Sequence, residues 1–318
     1  MDLKEEKRKI KIGVLMGGLS PEREVSLKTG AAIHRSLVRQ GYNACRIDAG
    51  TDLAEALKRE GAGAAFIALH GGAGEDGSVQ GLLEVMGIPY TGSGVLASAL
   101  AMDKEYSKRI FHDRGILVPE GTVLAKPDYV FNPDMPRDMA RAIGFGFPWV
   151  VKPATAGSSI GVSMVREPDG IRAALDGAFA LSDRVIVERR IIGREVQVGI
   201  LGGRVLGSVE VRPLKTLDFY NYDAKYAGGL TEYILPPEVD EKALSLAHET
   251  GLAAHLALGC RGATRVDLIV DAEGHAHVLE VNTIPGMTET SLLPKIAKAG
   301  GLDFDALVEE MLKEAFSG

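Results

Sequence analysis

Two alternating runs rich in β-branched residues, Arg265-Val266-Asp267-Leu268-Ile269-Val270 and 275–282, flank the polar stretch Asp271-Ala272-Glu273-Gly274, and this spacing predicts a β-hairpin. Side chains alternate between the faces of such a ribbon, so one cross-strand pair fixes all the others. Pairing Val270 with His275 sets Arg265 opposite Glu280 and Asp267 opposite Val278. Arg265, Asp267, Glu280 and Asn282 then share one face, and Val266, Leu268, Val270, Leu279 and Val281 turn to a core. Two carboxylates and an amide oxygen at one end suit Mg²⁺, which prefers one or two carboxylates plus water and phosphate oxygens. An arginine beside them can neutralise a carboxylate or an oxyanion. The same face also reads as solvated, with an Arg265–Glu280 cross-strand pair. The loop leaving the polar end, Thr283-Ile284-Pro285-Gly286-Met287 with Ser291-Leu292, has the form of a substrate-binding loop and favours a site.

A chain of 318 residues is long enough for two or three domains with cores of their own. Its formal net charge of −7 argues against a general polyanion-binding surface, and so against nucleic acid as a partner. Cys45 and Cys260 lack metal-ligand spacing, and residues 1–11 are a charged run without the apolar core of a signal peptide. No apolar stretch approaches the ~20 residues of a membrane span. No membrane partner and a cytoplasmic location are expected.

Residues 10–16 alternate as a strand ending at Gly17-Gly18, and Ser20-Pro21-Glu22 then supplies an N-cap, a proline at N1 and a first-turn acid for a helix. Glu22 reads locally as a complement to the helix dipole. A short strand at 45–47, a helix at 53–59 and a continuous apolar run at 64–69, typical of a buried parallel strand, follow. That run ends in His70-Gly71-Gly72-Ala73-Gly74-Glu75-Asp76-Gly77, a glycine-rich loop where open α/β sheets bind ligands, with His70 and Glu75 as candidates. Residues 1–100 thus read as a doubly wound, Rossmann-like unit without the dinucleotide fingerprint.

A helix at 104–113 leads to a Pro- and Asp-dotted boundary loop at 127–138. A strand ending in Lys152-Pro153 precedes the glycine-serine loop Gly157-Ser158-Ser159-Ile160-Gly161, whose backbone N–H groups could cradle phosphate oxygens beside the lysine; a plain hairpin turn is the competing reading. After a helix at 168–181, the strand at 185–189 carries Glu188 and leads to Glu195, either ribose-binding acids or surface charges. The long stretch 213–233 has the character of a lid or binding loop, with Lys225 and Tyr226 as contacts. Helices at 238–258 and 303–316 complete the chain.

Taken in order, Gly17-Gly18 with Glu22 and Ser26, His70-Gly71 through Glu75-Asp76-Gly77, Met102-Asp103-Lys104, Lys152-Pro153 with the 157–162 loop, Tyr222-Asp223 with Lys225-Tyr226, and the 265–292 region closely resemble the D-alanine–D-alanine ligases of the ATP-grasp superfamily. The resemblance implies an α/β fold of three domains: an N-terminal Rossmann-like domain over 1–100, a central lid domain over 101–184 and a C-terminal ATP-grasp domain over 185–318. It implies ATP held by Lys104, Lys152, Gly157, Ser158, Ser159, Gly161, Glu188, the backbone of Arg189 to Ile191, and Glu195. Lysine is the commoner residue of the family where Arg189 stands. Two Mg²⁺ ions, with Mn²⁺ as an alternative, would lie on Asp267, Glu280 and Asn282.

By the same resemblance, Glu22 would receive the ammonium of the first D-alanine with help from His70 and Glu75. Arg265 and the Gly286 N–H would polarise its carboxylate, and Ser291, Leu292 and Lys225 would take the carboxylate of the second D-alanine. Ser158, Tyr226 and Glu22 would link lid and site. The implied activity is ATP-dependent formation of D-alanyl-D-alanine through an acyl phosphate, for peptidoglycan precursor synthesis, by a homodimer. A ligase using D-lactate or D-serine is the near alternative, against which Tyr226 speaks, since D-lactate users tend to carry histidine there. A non-catalytic nucleotide sensor would be expected to lose the metal ligands or the lid, and this chain keeps both.

Overall fold

The computed structural model describes residues 9–131, 135–157, 159–213 and 231–316; Ser158, Lys225 and Tyr226 lie outside the described residues. Among the described residues three sheets organise the chain. The first is parallel, in the order β2 (Ala44–Asp48), β1 (Ile12–Met16), β3 (Ala64–Ile67). It packs with α1 (Arg23–Arg39), α2 (Leu53–Glu60) and α3 (Ser78–Val85), whereas Ala97 and Ala101 of α4 (Val95–Met102) join the core beneath the 265–282 hairpin. Every residue of β1 and β3 is buried, as in strands covered on both faces. The expected cap at Ser20 is not formed. The α1 helix starts at Arg23, so the Ser20 hydroxyl is too far upstream to reach its first free N–H groups. It accepts from the Glu22 N–H at 3.1 Å and donates to the His70 carbonyl at 2.5 Å, tying the helix start to the glycine loop after β3.

The second sheet is antiparallel, in the order β4 (Gly121–Ala125), β7 (Arg184–Arg189), β5 (Trp149–Pro153), β6 (Ser163–Val165). Together with α8 (Ile171–Phe179) it buries Trp149, Val151, Leu175, Phe179, Val185 and Val187. The stretch expected as a boundary loop at 127–138 instead contains most of α6 (Lys126–Phe131) and the start of α7 (Met135–Ala142). Pro127 and Pro136 do not break these helices. Each is the second residue of a helix, where the missing N–H has no intrahelical acceptor to lose. Strand β7 pairs on both sides within this sheet, which therefore carries the chain past residue 184.

The third sheet is antiparallel, in the order β10 (Thr231–Ile234), β9 (Arg204–Pro213), β8 (Gly193–Leu201), β11 (Ala263–Asp271), β12 (Ala276–Asn282). One face packs Val198, Val266, Leu268 and Val278 against Ala247 and Ala254 of α9 (Glu241–Ala257) and Phe111 of α5 (Lys104–Asp113). On the other side, Leu293 and Ala297 of α10 (Leu292–Ala299) and Leu307 and Val308 of α11 (Phe304–Glu314) share a core with Ile33, Leu37 and Phe66 of the first unit. The stretch 213–233 is not wholly loop: Pro213 ends β9 and pairs with Thr231, the first residue of β10.

The 265–282 hairpin forms, but in a different register. Asp271 and His275 close the turn, with the Asp271 N–H donating to the His275 carbonyl at 3.0 Å. The Asp271 carboxylate gathers the N–H groups of Glu273 and His275, and Gly274 takes the positive φ (+85°) that a three-residue loop needs. Val270 consequently faces Ala276, not His275. A β-bulge then leaves Leu279 without an opposite residue, so Asp267 faces Glu280 and Arg265 faces Asn282. The bulge reverses the parity of β12. Val278 takes the buried position expected of Leu279, while Leu279 turns with Asp267 and Glu280 towards a cleft.

Candidate active site

A cleft of about 420 Å³ opens between the second and third sheets. Lys104, Lys152, Ser159, Glu188, Arg189, Ile191, Glu195, Asp267 and Glu280, all singled out in the sequence, line it, over an apolar floor that includes Ile269 and Leu279. Lys104 is the first residue of α5, whose start is fixed by the Asp103 carboxylate accepting from the Glu105 and Tyr106 N–H groups. Its ammonium donates to the Ala156 carbonyl at 2.8 Å and pairs with Glu280 at 3.1 Å, joining the glycine-serine loop to the hairpin.

Strands β5 and β7 place Lys152 and Glu188 on one side of the cleft, 2.7 Å apart between Nζ and Oε2. The other Glu188 oxygen lies 2.8 Å from Nζ of Lys108, an ion pair without the angular alignment of a hydrogen bond. All three groups are buried. Burial alone would push the Glu188 carboxyl up, but the Lys108 and Lys152 ammoniums outweigh it and hold it below the usual glutamate range. Lys108 escaped the motif reading, although it follows Lys104 by four residues and so shares its helix face.

At the hairpin end, Arg265 spans both Asp267 oxygens, Nε at 2.7 Å and Nη2 at 2.9 Å, and Asn282 Nδ2 lies 3.2 Å from Asp267 Oδ2. Across the sheet, Gly199 faces Arg265 and the fully buried Gln197 faces Asp267. Gln197 was not legible as a site residue, since only its register shows what it adjoins. Among the described residues no group of three or more His, Cys, Asp and Glu gathers, so a metal here would depend on Asp267, Glu280 and the Asn282 amide. With Asp267 and Glu280 directly opposed, that donor set suits Mg²⁺ completed by water and phosphate oxygens.

The first unit contributes Glu22, His70 and Glu75. Gly71 has φ +70° and passes so close to Glu22 that a Cβ there would lie 2.7 Å from its Oε2, while a Cβ on Gly157 would lie 3.9 Å from the same oxygen. The structure thus brings Glu22 to both glycine loops. His70 is buried, with Nε2 3.1 Å from the Thr29 hydroxyl and Nδ1 3.6 Å from Glu75. Beyond the hairpin, a Cβ on Gly286 would lie 3.0 Å from the Ser291 hydroxyl, which accepts from the Thr288 N–H just before α10 begins at Leu292. The Gly161 turn has φ +74°.

The D-ala D-ala ligase C-terminus family model matches residues 110–313, and the corresponding N-terminus model matches 47–93. The D-alanine–D-alanine ligase of Geobacter sulfurreducens is 50% identical over 313 residues, 98% of this chain and 96% of that protein. A solved Bacillus anthracis D-alanine–D-alanine ligase complexed with ATP superposes with a TM-score of 0.82 at 34% identity, covering 97% of this chain and 98% of that one. The VanG D-Ala:D-Ser ligase of Enterococcus faecalis gives 0.83 at 29% identity, covering 96% and 99%. The α/β fold is that of an ATP-grasp carboxylate–amine ligase. Within that class, the chain belongs to the D-alanine–D-alanine ligase family.

Proposed function

We propose that this chain uses ATP to join two molecules of D-alanine, releasing ADP, phosphate and D-alanyl-D-alanine for peptidoglycan precursor synthesis. The observation that carries this reading is the convergence of buried cations and the opposed Asp267–Glu280 pair on one cleft. A carboxylate cannot be attacked by an amine directly, because oxide would have to leave. Transfer of the ATP γ-phosphoryl group to the first D-alanine carboxylate gives an acyl phosphate, whose carbonyl the second amine attacks as phosphate departs.

The roles are those that the family resemblance implies. Lys104, Lys152 and the 157–161 loop hold the phosphates. The Arg189 to Ile191 backbone and Glu195 hold the nucleoside over Ile269 and Leu279. Glu22, with His70 and Glu75, takes the ammonium of the first D-alanine, and Arg265 with the Gly286 N–H faces the oxyanion that forms at its carbonyl. Ser291, Leu292 and Lys225 receive the second carboxylate, and Ser158 with Tyr226 links the 213–233 stretch to the site. Asp267, Glu280 and Asn282 would hold two Mg²⁺ or Mn²⁺ ions, which when bound would neutralise phosphate charge. The three-domain division, with its second boundary moved from 184 to beyond β7, the homodimer and the cytoplasmic location belong to the same reading. Light scattering would decide the assembly state.

The test is phosphate release with ATP and Mg²⁺, compared between D-alanine alone and D-alanine with D-lactate or D-serine, with product mass measured. Absence of D-alanine-dependent release would refute the assignment. A narrower check concerns Lys152. Replacement by methionine leaves Glu188 paired to Lys108 but removes a phosphate contact, so the ATP Kd is expected to rise about tenfold or more while the D-alanine KM moves less than about twofold. Equal loss for both ligands would count against the contact.

A further inference from the structure

We propose that Lys108 is a positioning residue for the nucleotide: it keeps the buried Glu188 carboxylate compensated, so that Lys152 can turn its charge to a phosphate oxygen. This rests on the reading of the cleft as an ATP site. Glu188 is 2% exposed and lies between two ammonium groups, Lys152 at 2.7 Å from one oxygen and Lys108 at 2.8 Å from the other. Lys152 lines the cleft. Lys108, one helical turn beyond Lys104 and 9% exposed, stands behind Glu188.

With one lysine and one carboxylate buried together, the lysine would be spent on the carboxylate. Drawing it towards a phosphate would strand a buried negative charge, which is strongly unfavourable. A second cation removes that conflict. The trio of two lysines and one glutamate carries one positive charge in excess, and Lys152 is the member placed to offer it to an anion in the cleft. Burial draws the Lys108 ammonium down to about 8, and the Glu188 carboxylate 2.8 Å away partly offsets this in favour of the charged form.

The test is calorimetric titration of ATP into the parent protein and the K108M, E188Q and K108M/E188Q variants, with D-alanine KM measured on each active protein. K108M is expected to weaken ATP binding about tenfold or more and to leave the D-alanine KM within about twofold of the parent. In the E188Q background no carboxylate remains to hold Lys152, so adding K108M is expected to cost less than about threefold. A merely structural lysine, or one that touches ATP itself, would lose the same affinity in both backgrounds. Equal losses, or a K108M protein that binds ATP like the parent, overturn the proposal. Should K108M alone not fold, K108M/E188Q compared with E188Q decides, and a drop above about threefold there overturns it. If the parent itself does not bind ATP, the proposed function fails together with this inference; if the parent binds and only the cycle fails, the inference alone is lost.

Discussion

Glu280→Gln is expected to lower turnover by roughly 10²–10³-fold while the fold persists. The side chain lies on the cleft face of the hairpin, opposite Asp267, and contributes no atoms to the cores on either side of the third sheet. It pairs with the Lys104 ammonium at 3.1 Å, which retains its bond to the Ala156 carbonyl when the carboxylate becomes an amide. The change therefore withdraws one hard anionic donor from a set that has only one other carboxylate, and glutamine replaces it with a neutral oxygen of similar reach. Steady-state assays with Mg²⁺, ATP and D-alanine read the loss, and thermal unfolding reads the fold. Turnover within about threefold of the parent at ordinary Mg²⁺ would remove Glu280 from the metal set.

Arg265→Met should be damaging in two separable ways. The guanidinium grips both oxygens of Asp267, a residue only 3% exposed, and its loss leaves that carboxylate with the weaker Asn282 contact. Breaking such a pair from one side is expected to cost about 3 kcal/mol in denaturant unfolding. Loss of the cation facing the developing oxyanion should also lower kcat by roughly 10²–10³-fold. Adding Asp267→Asn separates the effects: neutralising the stranded carboxylate should recover a large part of the stability and none of the activity. A double variant that regains turnover would show that Arg265 serves the fold alone.

Much of this arrangement was legible because the strands and glycine loops have sharp local signals. The buried run before His70 and the lysine near the end of β5 announced themselves, and α5 spans Lys104–Asp113 as expected. The hairpin was recognisable, yet its register was not, since counting from the turn assumes an unbroken ladder. The adjacent apolar pair Val278-Leu279 was the available warning, because strict alternation forbids it. Prolines in 127–138 suggested a linker, where the position of Pro127 and Pro136 at helix starts made them compatible with α6 and α7. Lys108 and Gln197 stayed hidden for a different reason. Their neighbours come from β7 and β11, distant in sequence, and only tertiary pairing brings Glu188 and Asp267 to them.

The way the three sheets bury their apolar faces decides which parts of the chain could survive excision. Every fully buried member of the second sheet's core lies between Met139 and Val187, so a fragment cut near residues 119 and 190 would take its whole interior with it. A fragment ending near residue 100 would not. Ile12, Val14, Ile33, Leu37 and Phe66 are covered in part by Leu293, Ala297, Leu307 and Val308, all far beyond that cut, and would be left facing water. The first and third sheets are therefore obliged to fold as one body, for which the intervening polypeptide is an insertion.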